Sequence, residues 1–210
     1  MDWDKMGDAL YAGKVDEVAA LTKEALEEGH GAQEVLNQGL LAGMDRVGKD
    51  FRADILFLPE VLVAAKAMHT GMDVLRPLLS EIDTAALGSF VIGTVKGDLH
   101  DIGKNLVAMM LTGAGMEVID LGIDAPADKF AEAIREHQPQ IVGMSALLTT
   151  TMDEMKTTIQ VLEEAGLRDK VKVMVGGAPV TQGFAEKIGA DGYAHDAVSA
   201  VDLARVWLQS

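Results

Sequence analysis

Residues 93–105 read Gly93-Thr94-Val95-Lys96-Gly97-Asp98-Leu99-His100-Asp101-Ile102-Gly103-Lys104-Asn105. An apolar run from Phe90 to Val95 leads into this segment, and a helical pattern of apolar residues follows it. The sequence therefore predicts a polar loop at the carboxyl end of a strand, where open α/β sheets bind ligands. Asp98 and His100 are two residues apart, so an extended loop directs both side chains to one side. There the carboxylate can orient the imidazole as a metal ligand.

The composition narrows the classes of protein to which the chain can belong. Its 210 residues carry a formal net charge of −15 and contain no cysteine. An acidic surface repels phosphate backbones and anionic lipids, so binding to nucleic acid or to a membrane is disfavoured. The lack of cysteine excludes disulfides, thiolate zinc sites and iron–sulfur clusters. Since there is no signal peptide and no apolar run near ~20 residues, the sequence predicts a cytoplasmic protein.

The first 84 residues show the apolar periodicity of helices. A short first helix is predicted within residues 1–12, and three longer apolar stripes follow it at helical spacing. The stripes are Val15, Val18, Thr22, Ala25 and Leu26; Leu36, Leu40, Met44 and Val47; and Val61, Ala64, Ala65, Met68, Met72, Leu75 and Leu79. Four helices with short connections predict a small four-helix bundle over residues 1–84.

After a predicted linker near residues 81–88, the period of the sequence changes. Short apolar runs alternate with helical stripes, which is typical of a parallel sheet buried on both faces. The runs lie at 89–95, 116–121, 140–145 and 171–176, with a weaker one at 191–194 before a last helix at about 196–208. Five strands in this rhythm predict a flavodoxin-like (Rossmann-like) doubly wound parallel sheet in a second domain, residues 85–210.

Two further motifs follow predicted strands. Ser145 to Thr151 contains several hydroxyls, which suit a polar ligand or the cap of the next helix. Gly176 and Gly177 follow the next strand, and such a pair either lets a ligand approach the backbone or makes a tight turn. Both motifs fall at the same edge of the sheet as the histidine loop, so the sequence predicts one site there. By the residues alone, that loop is also compatible with a solvated histidine and with Asp101 as a helix cap.

Asp98, His100 and Gly103 form the spacing Asp-x-His-x-x-Gly, which resembles the signature of cobalamin-binding domains of the methionine synthase type. Ser145, Leu147 and Thr149 are similar to the Ser-x-Leu-x-Thr strand end of that family. The resemblance covers nearly the whole chain, and the chain looks like a corrinoid protein of the methyltransferase systems.

The resemblance implies a set of site residues. His100 would be the lower axial ligand of cobalt, backed by Asp98 and by Thr151, which stands where methionine synthase has a serine. The segment from Phe51 to Val61 resembles the cap over the upper face of the corrin ring. The remaining implied cofactor contacts are Phe51, Leu58, Val61, Gly93, Asp101, Gly103, Ser145, Leu147, Thr149, Gly176, Gly177, Tyr193 and Ala194. Lys104 and Asn105 are expected to be ordinary residues on the surface of the next helix.

The function that the resemblance implies is methyl transfer. The corrinoid cobalt would accept a methyl group from a substrate on one methyltransferase and pass it to a second, towards tetrahydrofolate or a thiol. Methylamine, methanol, betaine and methoxyaromatic donors are all compatible, and a reductive activase is a further expected partner. The alternatives are a cobalamin sensor, an adenosylcobalamin mutase subunit, or an α/β nucleotide-binding domain without metal. The last lacks the Gly-x-Gly-x-x-Gly fingerprint and leaves His100 unexplained.

Overall fold

The structure is a computed structural model that describes residues 1–75, 77–78 and 88–209. The chain divides into two compact units. One comprises Met1–Ala86 with Thr112–Gly115, and the other comprises Leu87–Leu111 with Met116–Ser210. The predicted domain boundary after residue 84, and most of the predicted linker, lie outside the described residues and stay predictions.

The first unit is helical, as predicted. Its elements are α1 (Trp3–Tyr11), α2 (Val15–Glu27), α3 (Ala32–Glu34), a π-helical stretch (Val35–Leu41), α4 (Ala42–Arg52) and α5 (Leu58–Leu75). Because α3, the π-helical stretch and α4 are continuous, the described residues of this unit form four helical segments. The apolar stripes are buried between them, with Met6, Leu10, Val18, Leu40 and Val47 among the buried residues. Packing of these faces supplies most of the stability of short helices.

A short segment connects α4 to α5, and backbone hydrogen bonds fix its shape. The Asp50 carbonyl oxygen accepts from the amides of Ile55 and Leu56 at 2.9 and 3.2 Å. The Tyr11 hydroxyl donates to the Asp50 carboxylate at 2.7 Å, which ties this turn to the end of α1. The Glu60 carboxylate accepts from the amide of Phe57 at 3.0 Å and so caps the start of α5.

The second unit contains the predicted five-stranded parallel sheet. The strands are β1 (Ser89–Thr94), β2 (Glu117–Asp120), β3 (Ile141–Ser145), β4 (Lys172–Gly176) and β5 (Gly192–Ala194). The helices are α6 (Ile102–Gly113), α7 (Ala127–His137), α8 (Asp153–Glu164), α9 (Gln182–Ile188) and α10 (Ala197–Leu208), with a 3-10 turn at Arg168–Lys170. The strand order β2-β1-β3-β4-β5 is the flavodoxin-like order, which confirms the predicted topology.

The register of the sheet aligns the strand ends. Thr94 pairs with Ser145, Ser145 with Gly176, and Gly176 with Ala194, so these four residues form one row across the carboxyl edge. The chain leaves β1 for β2 on one side and returns to β3 on the other. This reversal makes a topological switch point between β1 and β3, and open α/β sheets bind ligands in the crevice at such a point.

The strand interiors are apolar because both faces of the sheet are covered. Val91, Val142, Val173 and Val175 are fully buried and pack in one core with Phe130. Within the described ranges, no helix is both long enough and apolar enough to cross a membrane.

Candidate functional site

Asp98 is the centre of the loop that follows β1. Its side chain is fully buried. One carboxylate oxygen, Oδ2, accepts from the Thr151 hydroxyl at 2.7 Å and from the amides of Leu147 and Leu148 at 2.7 and 3.2 Å. The other, Oδ1, accepts from the amide and the ring of His100 at 3.1 and 2.7 Å. The carboxylate therefore joins the loop after β1 to the loop after β3, across the switch point.

These hydrogen bonds determine the ionisation of Asp98. Burial on its own would raise the pKa of the carboxyl group, because it disfavours the charged form. The Thr151 hydroxyl, the Leu147 amide and His100 all donate to the charged form, and together they hold the pKa of Asp98 well below its usual range. Asp98 is therefore a carboxylate at neutral pH and a strong acceptor for the imidazole.

His100 is held by its backbone and by one ring nitrogen. Its carbonyl oxygen accepts from the buried Thr94 hydroxyl at 2.9 Å. Its ring Nδ1 faces Asp98 Oδ1 at 2.7 Å, while 50% of the side chain remains exposed. A carboxylate at Nδ1 favours the tautomer that carries its proton there, which leaves the lone pair on Nε2. Nε2 is therefore the atom that can ligate a metal.

The segment between β2 and α7 supports the same loop. The Asp124 carboxylate accepts from the Gly97 amide at 2.7 Å, and the Asp124 amide donates to the Asp98 carbonyl oxygen at 3.0 Å. Gly97 has a φ of +79°, a conformation that a side chain would strain. Three strand ends, those of β1, β2 and β3, therefore position His100.

Exposed apolar side chains lie in, or directly after, the loops that follow β1, β2 and β3. We call this set the apolar rim; it consists of Leu99, Ile102, Ile123, Leu147 and Leu148. Leu99 and Ile102 flank His100 in the chain, and the amides of the two leucines after β3 bind Asp98. Only Leu147 is predicted as a site residue from the sequence. The signal for the others is weak, because apolar residues next to a strand end are equally typical of a core.

The glycines of the site differ in what surrounds them. A side chain at Gly103 would meet nothing within 4 Å, and its backbone conformation does not require glycine. By contrast, a Cβ at Gly176 or Gly177 would lie 2.9 or 1.9 Å from a carbonyl oxygen of the chain itself, and one at Gly93 would lie 2.8 Å from Phe130. Packing within the protein therefore accounts for Gly93 and the Gly-Gly pair, whereas Gly103 leaves open space three residues beyond His100.

The other predicted residues of the sheet unit lie along the same edge. Ser145 is half-buried and Thr149 is exposed, both at the end of β3. Tyr193 is half-buried and Ala194 is buried, at the end of β5. Asp101 precedes α6, and its carboxylate accepts from the Asn105 side chain at 3.0 Å. These predicted residues therefore lie along the carboxyl edge of the sheet.

One expectation about α6 is wrong. Lys104 was expected on the helix surface, but only 1% of its side chain is exposed. Its ammonium group donates to the Asp120 carboxylate at the end of β2 and to Asn105 Oδ1 at 2.6 Å. The reason is tertiary: a carboxylate on the neighbouring strand satisfies the buried charge, and the helical pattern of α6 gives no sign of that strand.

The predicted cap residues lie in the helical unit. Phe51 is half-buried in the last turn of α4, whereas Val61 is fully buried in the first turn of α5. The side chain of Leu58 lies outside the described part of the chain. The connecting segment also exposes Ile55 and Phe57, which the sequence did not single out. Their exposure could not be distinguished in advance from core packing, because they belong to one apolar run.

Comparison with known proteins agrees with this geometry. Residues 88–202 match the family described as B12 binding domain, and residues 3–76 match a second family with the same description. Trimethylamine corrinoid protein 1 of Methanosarcina acetivorans is 47% identical over 206 residues, which cover 97% of this chain and 95% of that protein. The dimethylamine corrinoid protein of Methanosarcina barkeri is 48% identical over 202 residues, which cover 96% and 94%.

A solved structure matches both units. The crystal structure of the methanol:cobalamin methyltransferase complex MtaBC from Methanosarcina barkeri aligns with a TM-score of 0.88 at 30% identity, and covers 98% of this chain and 79% of the matched chain. The family matches span both the helical unit and the sheet unit with its Asp98–His100 loop. The chain therefore belongs to the B12-binding corrinoid proteins of methyltransferase systems, and cobalamin is its cofactor.

Proposed function

We propose that the chain carries a methyl group between two methyltransferases, with His100 as the protein ligand below the corrin ring. The observation that carries this proposal is the relay Thr151–Asp98–His100, which fixes the imidazole and leaves Nε2 accessible. When bound, cobalamin supplies a cobalt centre that accepts and releases a methyl group.

The residues around His100 fit such a group. The five side chains of the apolar rim would lose their contact with water beneath a broad apolar ring, which is favourable at about 25 cal/mol per Å² of buried apolar surface. The open space at Gly103 lets the ring lie close to the first turn of α6.

The relay gives the chain a means of holding a proton. With Nε2 on a metal, Nδ1 keeps its proton against Asp98, and the carboxylate strengthens the imidazole as a ligand. Thr151 keeps Asp98 oriented.

The remaining predicted contacts divide between the two units. We assign Ser145, Thr149, Gly176, Gly177, Tyr193 and Ala194 to the nucleotide tail of the cofactor, and Gly93, Asp101, Gly103 and Leu147 to the surroundings of His100. We assign Phe51 and Leu58 to a cap over the upper face, where apolar side chains would exclude water and oxidants. Val61, the third predicted cap residue, is fully buried in the first turn of α5 and would support this segment from within the helical unit. The common carboxyl edge of β1, β3, β4 and β5 supports the first group.

A methylamine is the proposed source of the methyl group. The relatives named for trimethylamine and dimethylamine are 47% and 48% identical to this chain, whereas the matched chain of the methanol complex is 30% identical. The proposed partners are a methylamine methyltransferase, a second methyltransferase acting towards a thiol or tetrahydrofolate, and a reductive activase.

Spectroscopy of the reconstituted protein tests the ligand. We expect the wild type to bind cobalamin in equimolar amount and its cobalt(II) form to show triplets from one axial ¹⁴N in electron paramagnetic resonance. Labelling of histidine with ¹⁵N should convert these triplets to doublets, and His100→Ala should abolish that conversion. Triplets that persist under the label would assign the axial nitrogen to the cofactor and reject His100 as the ligand.

The donor is tested with the partner enzymes. The reduced protein should be methylated by trimethylamine or dimethylamine in the presence of the cognate methyltransferase, and the absorbance change of the cobalamin reports the transfer. Methanol with a methanol methyltransferase serves as the matched control. If the protein is methylated in the methanol reaction but not in the methylamine reactions, the proposed donor is rejected, while the role of methyl carrier is kept.

A further inference from the structure

Lys104 is a buried cation beside the cofactor site to which the relay assigns no role. It lies in the first turn of α6, four residues beyond His100, with 1% of its side chain exposed. Burying an ammonium group is costly unless it is paired and hydrogen-bonded. Helix formation alone does not require this residue, since an apolar side chain at the same position would pack without that cost.

The contacts of Lys104 connect the end of β2 to the loop that precedes α6. Its Nζ donates to the Asp120 carboxylate at the end of β2 and to Asn105 Oδ1 at 2.6 Å. Asn105 Nδ2 in turn donates to Asp101 Oδ2 at 3.0 Å, and Asp101 follows His100 directly. We call the four residues Asp120, Lys104, Asn105 and Asp101 the second relay.

The two relays hold His100 from opposite directions along the chain. The first reaches from Thr151 beside β3 to Asp98, two residues before His100, and fixes the ring. The second reaches from Asp120 on β2 to Asp101, one residue after it. An imidazole ligand needs a fixed ring orientation and a fixed backbone position. Asp98 holds the amide of His100 and Thr94 holds its carbonyl oxygen, and the second relay also holds the side chain of the next residue, Asp101.

We infer that Lys104 is a positioning residue that sets the axial ligation by His100 through Asn105 and Asp101. This inference rests on the proposed ligation of cobalt by His100. Lys104 would act through Asn105 and Asp101 without contacting the cofactor. It acts by holding the chain between His100 and α6, so that Nε2 would be directed at the cobalt of a bound cobalamin.

Substitutions along the second relay separate this role from folding. Lys104→Met removes the cation and leaves Asp120, whose side chain is 40% exposed, to be solvated by water. Asn105→Ala keeps the Lys104–Asp120 pair but removes both side-chain bonds of Asn105, the one from Lys104 and the one to Asp101. Lys129→Met is the matched control, because Lys129 binds the Leu121 carbonyl oxygen at the same strand end, outside the relay.

The main measurement is electron paramagnetic resonance of the cobalt(II) form with ¹⁵N-labelled histidine. We expect the ratio of histidine-ligated to unligated cobalt to fall about tenfold in Lys104→Met and in Asn105→Ala, the loss typical of residues that orient a metal ligand. Lys129→Met should keep the wild-type ratio. In the cofactor-free protein, amide exchange at His100, whose N–H donates to Asp98, should become faster in the first two variants only.

The outcomes distinguish the inference from the proposed function. If the wild type shows the histidine signal and both relay variants keep its ratio, Lys104 is not a positioning residue, although His100 remains the ligand. If the wild type itself shows no histidine nitrogen on cobalt, the proposed ligation fails and the inference falls with it. Should Lys104→Met fail to fold, Asn105→Ala, which retains the buried ion pair, decides the question.

Discussion

At the scale of single residues, Thr151 is the hydroxyl on which the buried carboxylate of Asp98 depends. Thr151→Val removes the 2.7 Å donor to Asp98 Oδ2 while keeping the shape of the side chain. Loss of a donor to a buried charged group should lower the free energy of unfolding of the cofactor-free protein by about 1–3 kcal/mol. Chemical denaturation at neutral pH measures this change.

Two substitutions control for other effects at this position. Thr151→Ser keeps the hydroxyl and should retain most of the wild-type stability, because the bond to Asp98 can still form. Thr150→Val changes an exposed neighbour and should stay within about 0.5 kcal/mol of the wild type. Equal stability of Thr151→Val and Thr150→Val would show that the Thr151 hydroxyl does not stabilise Asp98.

The sequence predicts only part of this site, because some of the groups that bind Asp98 are backbone amides rather than side chains. The spacing of Asp98 and His100 predicts their contact, because neighbours two apart share a side of an extended loop. The amides of Leu147 and Leu148 are backbone groups and leave no mark in the sequence. Lys104 on α6 is buried against Asp120, which lies sixteen residues away at the end of β2, so the local pattern of the helix does not predict its burial.

At the scale of elements, α10 begins with a capping box that makes its stability depend on pH. Asp196 Oδ1 accepts from the Ser199 amide at 2.7 Å, and the Asp196 amide donates to the Ser199 hydroxyl at 3.1 Å. Partial burial would raise the pKa of Asp196, but the hydrogen bonds from Ser199 outweigh it and hold the pKa below its usual value. The charged cap therefore stabilises the folded protein at pH values above the pKa that the Asp196 carboxyl group has in the unfolded chain.

The sign of this effect gives a test. Because the folded pKa is the lower one, the contribution of the charged cap is complete at neutral pH and is lost as the pH falls below about 4. Asp196→Ala should lower the free energy of unfolding by about 1 kcal/mol at neutral pH. The difference between wild type and variant should shrink in acid, as urea denaturation at both pH values would show. A difference that grows in acid would contradict the assignment.

The strands were easier to predict than the details of the helices. Each observed strand lies within its predicted run. For the central strands β1, β3 and β4 the reason is that strands buried on both faces are nearly continuous apolar segments. The stripe from Leu36 to Val47 predicts a helix but does not distinguish α from π geometry, which differs by one residue per hydrogen-bonded turn. Apolar periodicity thus predicts the helix but not which backbone hydrogen bonds, i→i+4 or i→i+5, it forms.

At the scale of the whole molecule, the two family matches divide the chain as its two units do: one on the helices and one on the sheet. The proposed division of labour follows from what each unit contains. The sheet unit has His100, the proposed ligand, and both relays, whereas the helical unit has exposed apolar side chains next to the predicted cap residues. The change of period in the sequence predicts a helical part followed by a sheet part, because helix and sheet need different apolar patterns.

The cap proposal makes a prediction that separates a lid from a core. Phe57 is 63% exposed in the segment before α5, whereas Val61, one turn into that helix, is 0% exposed. Phe57→Ala should therefore change the free energy of unfolding of the cofactor-free protein by less than about 0.5 kcal/mol. Val61→Ala should lower it by about 2 kcal/mol, because it leaves a cavity in the bundle.

The functional effect should run in the opposite order. If the segment from Phe51 to Phe57 shields the upper face, Phe57→Ala should shorten the lifetime of the cobalt(I) form in air-exposed buffer more than Val61→Ala does, because a missing lid admits oxidant. Stopped-flow absorbance of the reduced protein measures this lifetime, with Phe51→Ala as a half-buried intermediate. If the cobalt(I) lifetimes of the three variants instead rank in the order of their unfolding free energies, these side chains act as bundle core. The cap is then not part of the function.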